Sequence, residues 1–222
     1  MNRFLSHLEP HEFRRLLEAA TTQELKRNQL VFGAGDTPAY VYIVQTGRVR
    51  IYHLSPAGRV VALWFCMPDD IFGLTELCRG GMRQICAQAC ERTSLLRIGR
   101  ADFYHFLESC PRAALGALDV VSARLRGLGR LLEDLVGCDV TERLTQLIHR
   151  LCLEYGHPVG DTVCIDLRLT HQELADMIGA TRQTVTSTLG ELRRNGVLTL
   201  HDRRWYVARQ MLATAPKPIA PQ

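Results

Sequence analysis

The stretch Thr170–Val207 constrains this chain more than any other. Thr170 with Glu173 forms a Ser/Thr-x-x-Glu capping box, the signature of a helix start. Leu174, Met177 and Ile178 then recur at helical spacing as the buried face of a short helix. Gly179 supplies the backbone freedom that a tight inter-helix turn demands. A second helix follows over Thr181–Leu192, with Val185, Leu189 and Leu192 facing inward. Gly196–Val207 reads as a hairpin with its turn near Asp202-Arg203. Two helices at a sharp angle followed by a hairpin define a winged helix-turn-helix.

That arrangement leaves Arg182, Gln183, Thr184, Thr186 and Ser187 pointing outward at the start of the second helix. The start of a recognition helix is the part that enters the major groove of DNA. Arginine bonds guanine O6 and N7 in bidentate fashion, glutamine does the same to adenine N6 and N7, and Thr or Ser reaches phosphate or a thymine methyl. Thr170, His171 and Gln172 at the start of the first helix join them as DNA-contacting candidates, with Arg203 and Arg204 in the hairpin. Residues 192–209 hold five arginines (193, 194, 203, 204 and 209), a basic rim suited to phosphate contacts that position without reading sequence. A solvated polar helix face would be the plain alternative. The cap, glycine turn, polar helix and hairpin occur together, which argues for DNA reading. The net charge of +4 permits it without requiring it.

The rest of the chain divides by period. From Leu30 to Ile98, short strands rich in Val, Ile, Tyr and Phe, such as Tyr40–Val44 and Arg48–His53, alternate with turns at Gly33–Pro38, Thr46-Gly47, Ser55–Gly58 and Arg79–Gly81. Evenly spaced short strands predict a small barrel or roll. Helical spacing precedes it over Pro10–Ala20. From Pro111 to Gly137 the pattern turns helical, with Leu118, Val121, Leu125, Leu128, Leu132 and Leu135 at alternating spacings of three and four. That is the a/d seam of a homodimeric coiled coil, or one amphipathic helix packed on its own barrel. Gly127 and Gly129 each cost about 1 kcal/mol against Ala in a helix, which implies close helix approach or room for a ligand. Asp139 with Glu142 caps a further helix whose apolar face is Leu144, Leu147, Ile148 and Leu151. Tyr155–Asp161 reads as a loop and Val163–Leu169 as a strand.

The fold class is therefore α+β: a sensory roll over 1–110, a dimerisation helix and hinge over 111–138, and the DNA-binding domain over 139–213, with a disordered tail over 214–222. No apolar run approaches the roughly 20 residues of a membrane span, and the start lacks a secretory leader, so no membrane partner and a cytoplasmic location are expected. The eight cysteines (66, 78, 86, 90, 110, 138, 152 and 164) include no Cys-x-x-Cys pair and are expected as thiols. Cys86 and Cys90 on one strand would stand roughly 13 Å apart, beyond the about 7 Å a disulfide allows. The histidines are scattered, no metal site is expected, and no catalytic constellation suggests an enzyme.

This order of parts resembles the Crp/Fnr family over nearly the whole chain. Thr170–Leu198 is similar to the family's winged helix-turn-helix signature, Asp139-Val-Thr to its hinge, and Gly33–Ile51 with Asp69–Gly73 to the cyclic-nucleotide-binding fold. The resemblance implies that Arg182 reads a guanine. Gln183 and Ser187 depart from the Glu and Arg of the cAMP receptor protein and Fnr, and with the dimer helix resemble the carbon monoxide sensor CooA. It also places an effector pocket at Gly73, Leu74, Arg83, Gln84, Leu125, Leu128 and Gly129.

At that pocket the ribose-binding Glu falls on Leu74, the phosphate-binding Ser on Gln84, and the Thr-Ser pair of the dimer helix on Leu128 and Gly129, which argues against cAMP. An Fnr-type iron–sulfur cluster lacks its ligands, because no cysteine precedes Cys66. Haem finds no matched ligands at Gly73 and Thr75, with only Cys78 near. The expected function is a homodimeric regulator acting on palindromic promoter DNA with RNA polymerase as a further partner, its effector unknown or absent. A thiol-redox, haem or gas-responsive regulator using Cys78, Cys86, Cys90 or Cys138 is one alternative. A cyclic-nucleotide-fold module without DNA binding is another.

Overall fold

The computed structural model describes residues 4–55, 58, 60–78, 80–202 and 204–214. The chain divides into two compact units, Met1–Gly129 and Arg130–Gln222. The tail expected from 214 onward lies, beyond Thr214, outside the described residues.

The first unit opens with a 3-10 turn, Leu5–His7, and helix α1, Pro10–Glu18. Eight strands follow: β1 (Ala20–Leu25), β2 (Leu30–Phe32), β3 (Tyr40–Thr46), β4 (Val49–Leu54), β5 (Val60–Cys66), β6 (Ile71–Phe72), β7 (Cys86–Ala89) and β8 (Thr93–Gly99). They form two antiparallel four-stranded sheets, ordered β1-β8-β3-β6 and β2-β7-β4-β5. Strand β3 shows why its sequence is a continuous apolar run. Tyr42 and Val44 point into the core between the sheets. Val41 and Ile43 point the other way, under Leu16 of α1 and Phe103 and Phe106 of α2 (Arg100–Ser109). A strand covered on both faces has no reason to alternate with polar residues.

Gly47 turns β3 into β4 at φ 80°, and a Cβ there would lie 2.5 Å from the Arg92 carbonyl oxygen, so no other residue fits. Strand β1, with its run Thr21–Glu24, lies before the region read as strands, and α1 ends at Glu18, two residues short of the expected Ala20. The polar run hid β1, because Thr21–Glu24 are held by edge pairing with β8 while the strand's fully buried side chain, Leu25, stands at its end.

Helix α3 runs Pro111–Gly137 and α4 runs Val140–Tyr155, so the break falls at Cys138-Asp139, as the capping signal predicts. Asp139 accepts from the Glu142 amide, and the Glu142 carboxylate accepts from the Asp139 amide, both at 2.9 Å. In the second unit, Asp134 pairs with Arg150 of α4 at 2.7 Å. Gly156–Val159 (β9) and Thr162–Ile165 (β10) form a hairpin about Gly160-Asp161. The expected loop at 155–161 is thus half of a hairpin, and the expected strand at 163–169 is shorter and starts one residue earlier. Pro158 is tolerated because β9 is an edge strand. Helices α5 (His171–Ile178) and α6 (Arg182–Arg194) precede strands β11 (Leu198–His201) and β12 (Arg204–Ala208) and the short α7 (Arg209–Thr214). The sheet order β11-β12-β10-β9 makes the wing one edge of a four-stranded sheet.

Candidate nucleic-acid interface and effector pocket

Local chemistry sets the geometry of α5 and α6. Thr170 caps α5 through its hydroxyl, while Glu173 accepts from the Thr170 amide at 2.7 Å. Gly179 ends the helix in the left-handed region at φ 65°, a conformation that costs a residue with a Cβ about 1–2 kcal/mol. Thr181 then caps α6 by accepting from the Thr184 amide at 3.1 Å. Val185 and Leu189 are buried, as spacing predicts; Leu192 and Met177 are half-buried, and Ala175 takes the inward place beside Leu174 and Ile178.

The start of α6 is exposed at Arg182, Gln183, Thr184, Thr186 and Ser187. Among the described residues, the side chains of Arg182, Gln183 and Ser187 have no partner, whereas the other two hydroxyls are engaged. Thr184 Oγ1 lies 2.8 Å from Thr181 Oγ1, and Thr186 Oγ1 donates to the Arg182 carbonyl at 2.8 Å. Gln172 is exposed and donates to Asp176 at 2.7 Å. His171 is half-buried, and burial first, then the Arg182 charge, hold its imidazole pKa below the ordinary value. In the wing, Arg204 pairs with Asp166 at 3.0 Å, a residue whose part the sequence did not reveal. Arg203 lies outside the described residues.

In the first unit, Arg83 is 2% exposed and closed in by protein. Its Nη1 donates to Oε2 of Glu76 at 2.6 Å and to the Gly73 carbonyl at 3.0 Å; Nη2 donates to the Tyr40 carbonyl at 2.6 Å. The Phe32 ring centroid lies 4.2 Å from its Cζ. Gly73 and Arg83 are thus together, and Leu74 packs into the neighbouring apolar core, while Gln84 is exposed and donates to the Met82 carbonyl. Glu76 and two backbone carbonyls thus take up both terminal nitrogens of the Arg83 guanidinium.

Residues 22–110 match the cyclic nucleotide-binding domain family, and residues 142–213 match the Crp-like helix-turn-helix domain family. The chain belongs to the Crp/Fnr family of transcription regulators. It is 29% identical over 184 residues to a global nitrogen regulator of Nostoc sp., covering 82% of each chain. It is 26% identical over 196 residues to a CRP-like cAMP-activated global transcriptional regulator of Mycobacterium tuberculosis, covering 88% of each. A CooA mutant structure from Carboxydothermus hydrogenoformans shares the fold, with a TM-score of 0.79 at 23% identity, covering 96% of this chain and 94% of that one.

On α3 of this Crp/Fnr regulator, the expected seam residues Leu118, Val121, Leu125, Leu132 and Leu135 are exposed large hydrophobics, and Leu125 is 71% exposed. Leu128 is half-buried and Gly129 exposed. A Cβ built on Gly127 or Gly129 meets no atom within 4 Å, so neither glycine has a steric purpose within one chain. Arg124 of the same helix stands 5.2 Å from the Trp64 ring centroid and 3.8 Å from Asp70 Oδ2. The eight cysteines are free thiols. Cys66 and Cys152 are buried, and that burial pushes their pKa values to about 12 and about 11. Among the described residues no three His, Cys, Asp or Glu side chains gather as a metal site, and no helix is long and apolar enough to cross a membrane.

Proposed function

We propose that the chain is a cytoplasmic homodimer that binds palindromic promoter DNA sequence-specifically and acts with RNA polymerase, under an effector other than cAMP or none. The observation that carries this reading is the start of α6, where Arg182, Gln183 and Ser187 are exposed and unpartnered in a capped helix-turn-helix. Arg and Gln are the side chains that bond purine edges in bidentate fashion, and each such pair discriminates by about 1–3 kcal/mol.

Dimerisation is supported by the exposed leucines of α3. A run of large apolar side chains at heptad spacing, left open to water, is the surface that coiled-coil pairing buries. Glycines 127 and 129 suit the close approach of a second copy. One relative is cAMP-activated by name, yet here the Arg83 guanidinium is spent on Glu76, Gly73 and Tyr40, which supports a different ligand or none. In this reading a change in the roll reaches α3 through contacts such as Arg124 with Trp64 and Asp70, and re-aims the two recognition helices.

Electrophoretic retardation of promoter duplexes tests the proposal, with the protein prepared with and without oxygen and added nucleotides. A retarded band that survives excess unrelated DNA, and that cAMP does not strengthen, is expected. No retardation under any of these conditions would overturn it.

A further inference from the structure

Two hydrogen bonds on α6 change which of its side chains can face a base. Thr186 Oγ1 stands 2.8 Å from the carbonyl oxygen of Arg182 and 2.8 Å from Nδ1 of His171, in α5. A threonine hydroxyl carries a single proton. The carbonyl can only accept, so that proton goes to Arg182, and the imidazole must present an N–H on Nδ1. His171 therefore donates to Thr186. Its ring is held from the wing side as well, with the Trp205 ring centroid 6.3 Å away. The Thr186 hydroxyl has thus spent its donor and one of its two lone pairs inside the protein.

With the hydroxyl so engaged, the methyl is the part of this exposed side chain that carries no hydrogen bond. A methyl group suits contact with the C5 methyl of thymine and offers no hydrogen bond to a purine or cytosine edge. Its neighbours differ. The Thr184 hydroxyl is committed to the helix cap, while Arg182, Gln183 and Ser187 remain open.

We propose that His171 is a positioning residue for base specificity: by holding the Thr186 hydroxyl against the protein, it removes that hydroxyl from base reading and leaves hydrogen-bond readout to Arg182, Gln183 and Ser187. The inference rests on the DNA-reading function proposed above. It separates His171 from a residue that merely touches phosphate, because its effect on DNA choice passes through residue 186.

Parallel selections from a randomised duplex library test it, using the full chain, Thr186→Val, His171→Ala and the double variant, each checked for an unchanged melting temperature. Thr186→Val keeps the methyl and should enrich the same sequences as the parent. His171→Ala should shift base preference about fivefold or more at one base pair of each half-site. Adding it to Thr186→Val should shift nothing further. The proposal is overturned if Thr186→Val changes the preferred base, or if His171→Ala leaves preference unmoved. It is equally overturned if His171→Ala weakens all sequences alike, or acts the same in the Thr186→Val background. A parent chain that enriches no sequence would instead remove the DNA-reading function on which the inference rests.

Discussion

Nη1 of Arg83 lies 2.6 Å from Oε2 of Glu76, with both side chains buried in the first unit. They stand seven positions apart in sequence, and the segment between them carries Gly80-Gly81. The pair, with the Gly73 and Tyr40 carbonyls, ties the β6 end, the following turn and β3 to one guanidinium. This makes Arg83 an internal staple.

Removing one partner of such a pair strands a buried charge, at a cost of about 3–5 kcal/mol. Arg83→Ala should therefore lose that much stability in urea denaturation. Replacing both residues with apolar ones of similar volume should recover most of it. A loss below about 1 kcal/mol in the single variant would show that the pair contributes nothing of this kind.

Leu125 sits at the middle of the α3 stripe and is largely exposed in one chain. Leu125→Glu would place two carboxylates against each other in a paired helix. Sedimentation should then show monomers, and specific DNA binding should vanish with the dimer. A monomeric variant with full operator affinity would separate the two properties.

Arg182 and Arg194 stand at opposite ends of α6. Arg182→Ala should cost about 1–3 kcal/mol on the preferred site and relax choice at one base pair per half-site. Arg194→Ala should weaken all sequences about equally and lower the salt slope by about one. Competition binding at several salt concentrations distinguishes these outcomes; equal losses on all sequences for Arg182→Ala would take away its reading role.

Much of this was legible in the sequence because the signals are local. The capping boxes at Thr170 and Asp139, the left-handed Gly179 and the heptad leucines each act within one or two helical turns, and their patterns survive in any fold that contains them. The strands Tyr40–Val44 and Arg48–His53 were readable for a similar reason: β-branched and aromatic residues bounded by a turn glycine. Glu76 was not readable, since its partnership with Arg83 depends on how a loop folds back and leaves no periodic trace. Nor were the internal bonds of Thr184 and Thr186, because an outward-facing hydroxyl and one turned onto its own helix have the same sequence. The β9 hairpin was hidden by Gly156, Pro158 and Gly160, residues that mark loops unless an edge strand accepts them.

Burial raises the thiols of Cys66 to about 12 and Cys152 to about 11, above the ordinary 9.0. The unfolded chain therefore releases these protons first. Their contribution to stability is whole below pH 9 and is lost as pH climbs from 9 toward 11 and 12. Denaturant midpoints measured between pH 8 and pH 11 should fall, and fall less in a Cys66→Ala/Cys152→Ala variant. Equal slopes in the two proteins would contradict this assignment.

In the proposed dimer, two copies of α6 read one symmetric site. Selection of bound sequences from random duplex DNA, followed by sedimentation of the complex, measures this directly. The expected result is an inverted repeat with half-site centres about 10–10.5 base pairs apart, bound by two chains. An asymmetric site bound by one chain, or no enriched sequence at all, would contradict it.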